Sequence, residues 1–156
     1  MKLLKQHKGQ TLIETALILL ILMVIVLGLV EFARAWYLKS SLKNAARQGA
    51  RIAAVTSDIT TEYDRPAPAN KPDPASCGTL TGNDRVFCYI WISPGIRNTA
   101  SATLVITQLD SNTTADPDDI VTVTTSDYFD FIVGGSGPPW PWSDQTFTAD
   151  ATMRHE

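Results

Sequence analysis

The sequence predicts an α+β protein: one long N-terminal helix, half membrane-spanning and half amphipathic, packed on a small antiparallel sheet. Three observations carry that reading. An apolar run near the start is long enough to cross a bilayer. A proline-free, helix-favouring stretch follows it without a break. Beyond a proline cluster the hydrophobic period changes to the alternation of strands.

The apolar run comes first. Ala16 to Val30 is fifteen consecutive residues without a polar side chain. Counted back to Gln10 the segment holds 21 residues, interrupted by Gln10, Thr11, Glu14 and Thr15. As a helix it spans about 31 Å, enough for a hydrocarbon core. The average composition hides this asymmetry, since the mean hydropathy of the chain is near zero. A formal charge of −3 gives no reason to expect a nucleic-acid partner.

The next stretch, EFARAWYLKSSLKNAARQGARIAAV, has no proline from Glu31 to Val55 and is rich in Ala, Leu, Lys and Arg. Leu38, Leu42, Ala45, Gly49 and Ile52 fall on one helix face. Lys39, Lys43, Arg47 and Arg51 recur every four residues on another. Like charges at that spacing repel. The row is read either as a plain solvated face or as one lying against lipid headgroups or a partner's acids. With no breaker between the two halves, a single helix is expected from about Gln10 to Val55. Glu31 and Arg34 are spaced to pair along it.

DRPAPANKPDP, with Pro66, Pro68, Pro72 and Pro74, reads as a loop or extended linker. Four stretches after it read as strands: VFCYIWI (86–92), ATLVITQL (102–109), DIVTVTT (119–125) and TFTADATM (146–153). SPGIRN, DSNTTADPDD and GGSGPPWPW separate them. The expected organisation is a leader at 1–9, the helix at 10–55, a proline-rich linker at 56–76 and a β-rich head at 77–156.

Glu14 is the residue that needs explaining. An acid inside a membrane segment costs about 1–3 kcal/mol, less near an end, and usually has a partner or a function. Signal-peptide cores are 7–15 residues and uncharged, so a secretory signal explains it poorly. The string K-G-Q-T-L-I-E ahead of an apolar run resembles the N-terminus of type IV prepilins. That resemblance implies cleavage between Gly9 and Gln10 by a prepilin peptidase, leaving Glu14 fifth in the mature chain. It also implies a role: Glu14 neutralises the new ammonium at Gln10, its own or a neighbour's, and fixes the register between helices. Gln10 stands where pilins more often carry Phe.

The resemblance narrows to the TadE-like proteins. The residues that carry it are Gly9, Gln10, Glu14 and Ala16; then Glu31, Phe32 and Arg34; then Asn44, Ala45, Ala46, Arg47, Gly49, Ala50 and Arg51. The closing ADATMRHE is similar to the strand with which that family tends to end. Residues 56–145 resemble nothing recognised. The family implies a minor pilin or pseudopilin of the tight-adherence (Flp) pilus system. Its implied partners are other pilin subunits through the N-terminal helix, the prepilin peptidase, a secretion ATPase, the inner-membrane assembly platform and the lipid bilayer. The implied location is the inner membrane, single-pass, with the head outside the cytoplasm or carried into a pilus.

Charge alone predicts the opposite orientation. Lys2, Lys5 and Lys8 precede the apolar run, while Arg34, Lys39, Lys43, Arg47 and Arg51 follow it. The family resemblance, the two cysteines and the Thr-rich strands favour a head outside. There Cys77 and Cys88 can pair, closing a short loop worth about 2–3 kcal/mol, the alternative being two free thiols.

Nothing points to an enzyme, a cofactor or a metal. His7 and His155 are the only histidines, and Cys77, Cys88 and His155 lack the ligand spacing of a zinc site. Asp110, Asn112, Asp116 and Asp118 alternate as in a calcium loop, but Ala115 and Val121 stand where glycine and glutamate belong, so an acidic turn is expected. Trp140 and Trp142 are read as packing over a sheet edge rather than as an adhesive tip. Besides the pilin reading, an unprocessed membrane-tethered binding module and a secreted binding domain remain open.

Overall fold

The computed structural model describes residues 6–107, 117–131 and 145–156. Its elements are α1 (Gln6–Ala53), β1 (Glu62–Pro66), α2 (Pro74–Cys77), α3 (Gly82–Trp91), β2 (Ser101–Thr107), β3 (Ile120–Phe129) and β4 (Gln145–Arg154). The chain divides into two compact units, Met1–Ala35 and Trp36–Glu156. The α+β class and the long N-terminal helix are as the sequence predicts. No proline interrupts α1, and it ends where Thr56 turns back: Thr56 Oγ1 donates to Ile52 O at 2.7 Å, sharing that terminal carbonyl with the Val55 amide at 3.2 Å.

The sheet of the second unit is antiparallel throughout, in the order β1-β2-β3-β4. Alternation sets its two faces. Ala102, Leu104 and Ile106 of β2, and Val121, Val123, Thr125, Asp127 and Phe129 of β3, are buried. Against them lies one face of α1: Leu38, Leu42, Ala45, Ala46, Ala50 and Ala53 are buried too. The small residues allow close approach. A Cβ on Gly49 would lie 2.7 Å from Ile90 Cγ1 of α3 and 3.1 Å from Val123 Cγ1 of β3. Thr125 Oγ1 donates to the carbonyl of Leu42 at 2.9 Å, tying β3 to the helix.

Residues 86–92 are not the expected strand: 86–91 form the second half of helix α3 and Ile92 is its C-cap. Val86, Phe87, Ile90 and Trp91 are buried, an i, i+1, i+4, i+5 pattern that places all four on one helical face. An apolar run of seven carries no period by which to separate the two structures. The helix signal lay before it, in Thr81 at the N-cap position and Asp84 in the first turn, although Thr81 makes no side-chain cap bond. Cys77 and Cys88 form a disulfide with Cα atoms 5.5 Å apart, joining α2 to α3.

The proline-rich stretch starts with β1, a strand the sequence reading passed over. A bulge between Glu62 and Arg65 interrupts its register, and Asp64 sits at φ 51°. Arg65 bridges to Asp84 at 2.6 Å and the Thr61 hydroxyl accepts from the Ile106 amide at 3.1 Å. The other three strands fall where the alternation put them. At the far end, Arg97 Nε donates to the buried carboxylate of Asp127 at 2.8 Å, and Thr99 Oγ1 donates to its other oxygen at 2.7 Å. The same arginine also bonds the carbonyl of Tyr128. Trp140, Trp142, Asp110, Asn112 and Asp116 lie outside the described residues.

Candidate functional site: the N-terminal helix and its motif

In the first unit every large apolar side chain from Leu12 to Val30 is exposed. Soluble proteins do not leave so long an apolar surface to water. It is the one helix among the described residues long and apolar enough to cross a membrane. Within it Thr15 Oγ1 donates to Thr11 O at 2.8 Å, which satisfies the hydroxyl inside the helix.

Gly9, Gln10 and Glu14 are all exposed on this helix. Among the described residues nothing lies within 4 Å of the position a Cβ on Gly9 would take. Glu14 makes no ion pair among them. At the other end of the unit Arg34 donates to Glu31 at 3.0 Å, with the Glu31 side chain only 12% exposed. Phe32 is exposed.

The second half of the motif lies in the head, and there its spelling has a packing reason. In N-A-A-R-x-G-A-R, Ala45, Ala46, Gly49 and Ala50 are buried, whereas Asn44, Arg47 and Arg51 are exposed. The small letters set the spacing of α1 against α3 and β3, and the arginines line the outer face. Lys39 and Lys43 continue that face and are exposed as well. The letters of the motif do not by themselves show this division of labour, nor do they include Val55 and Met153, exposed apolar residues beside that row. No sequence signal marks them, because only the strand order brings them together.

No group of three His, Cys, Asp or Glu side chains gathers among the described residues. Cys77 and Cys88 are consumed in their disulfide. His155 is buried, with Nε2 3.1 Å from the Thr56 carbonyl, which it serves as a donor.

These features define a class: a long apolar helix, a candidate membrane span, ahead of a small disulfide-bonded α+β head. The particular kinship follows from comparison. Residues 9–51 match the family model described as TadE-like protein, which bears out the resemblance carried by the N-terminal motifs. The matched residues contain both halves of the motif and end at Arg51; ADATMRHE lies outside them. No curated protein and no solved structure matches the chain.

Proposed function

We propose that the protein is a non-catalytic minor pilin or pseudopilin of a tight-adherence pilus, assembled through its N-terminal helix. The observation that carries this reading is the coincidence of three things in one segment. Gly9, Gln10 and Glu14 stand at prepilin spacing, the helix behind them is apolar and wholly exposed, and the same residues match the TadE-like model. An unpaired acid in such a helix is costly, and the amine that cleavage would uncover at Gln10 is a partner of the right charge one helical turn away. In a bundle of such helices the pair sets the register between subunits, and the apolar surface meets lipid or its neighbours. The head faces outside the cytoplasm; the Cys77–Cys88 disulfide, which suits an oxidising compartment, supports that orientation.

The test is the mature N-terminus of protein purified from cells with an active prepilin peptidase. Gln10 at the terminus is expected, with Gly9→Ala blocking the cut and Glu14→Ala permitting it but abolishing incorporation into fibres. Retention of Met1 would instead favour an unprocessed membrane tether, and a start near Trp36 a secreted domain.

A further inference from the structure

The sheet has two edges and they differ. β1 is guarded by its bulge, by the left-handed Asp64 and by Pro66, all devices that discourage strand addition. β4 has none of these: it is ten residues long, pairs with β3 in unbroken register and holds no proline. Among the described residues no strand pairs with its other side. Its helix-facing residues are also poorly covered. Val121 and Val123 of β3 are fully buried, but their β4 partners Met153 and Ala151 are not.

The reason is an open groove of about 960 Å³ between β4 and α1. One wall is the basic row of the helix, Lys43, Arg47 and Arg51; the floor is Ile52, Val55, Ala151 and Met153. None of the three cations forms an ion pair among the described residues. Among the described residues, Asp150 is the one acid lining the groove. A free main-chain edge beside a cationic wall has a definite complement.

We infer that this groove takes an extended acidic segment of a partner protein, added along β4 as a fifth strand. Side chains of an added strand alternate between the two faces of the sheet. Acids at every second position would all fall on the helix side, against Lys43, Arg47 and Arg51, while the aliphatic stems of those residues and the floor cover the backbone. A second copy of this chain is disfavoured by its own charges. Pairing β4 with β4 brings two cationic rows together, and the acidic edge, β1, is the guarded one. The inference goes beyond the proposed function and requires neither cleavage at Gly9 nor incorporation into a pilus.

The test uses the full-length chain in phosphatidylcholine nanodiscs and two fluorescent ten-residue peptides of one composition. In one, glutamate alternates with valine and threonine; in the other, the glutamates form a block. The alternating peptide is expected to bind at least tenfold more tightly and to slow amide exchange across Thr146–Arg154. Arg47→Glu with Arg51→Glu is expected to lower its affinity at least tenfold with the unfolding transition unchanged, and Arg47→Gln with Arg51→Gln to lower it less. Equal binding of the two peptides, absence of protection in β4, or self-association of the chain that the peptide does not compete with would overturn the inference. So would a basic row that engages phosphatidylglycerol nanodiscs but neither peptide.

Discussion

The two halves of α1 differ in what they expose. Before Val30, α1 exposes Leu, Ile and Val on every side; after Leu38 it buries a narrow face of alanine and glycine and exposes lysine and arginine on another. The difference teaches that burial, and not helix propensity, sets the role of each half. A helix apolar all round needs an apolar surrounding, whereas one with a single small-residue face needs a close-packed partner. The same residue type therefore has different consequences in the two regions.

The sharpest way to break that comparison is to truncate a leucine in each. Leu42, fully buried, contacts the core, and Leu42→Ala should cost about 3 kcal/mol of head stability. Leu20→Ala, in the exposed run, should leave the head's unfolding unchanged. Both are read by denaturant titration of the full chain in nanodiscs, following the fluorescence of buried Trp91. Replacing Cys77 and Cys88 together by serine should lower the same midpoint by about 2–3 kcal/mol, through the loss of an eleven-residue link.

A glycine pair sharpens the comparison further. Gly49→Val must displace Ile90 and Val123 and should cost about 2 kcal/mol, while Gly28→Val, with nothing within 4 Å of its Cβ among the described residues, should leave head stability as it is. Smallest of all, Glu31→Ala removes an ion pair whose arginine is 40% exposed, and its effect on head unfolding should stay below about 0.5 kcal/mol. A larger effect there would mean that the two halves of α1 unfold together.

Much of this fold was legible because its patterns are regular. The apolar run, the Leu38–Leu42–Ala45–Gly49 face and the alternation in β2, β3 and β4 each repeat often enough to fix a period. Residues 86–92 lack such a repeat: seven apolar residues in a row fit a helix or a strand, and the decision falls to α1, whose Gly49 receives Ile90. β1 was illegible for a different reason. Its five residues, EYDRP, hold three charges and a proline, and long-range contacts such as Arg65 with Asp84 keep it in place. In the candidate site, Gly9, Gln10 and Glu14 stand out through the resemblance to prepilins, and their roles rest on it. The groove beside β4 was not legible, since its walls are about a hundred residues apart in the chain and meet only through strand order.

The last residues are stitched to the end of α1. The amide of Glu156 donates to the Ala54 carbonyl at 2.9 Å, and His155 reaches both Asp119 and Thr56. A mechanical load on the end of β4 would therefore reach the close of α1 directly, through one main-chain bond and one histidine.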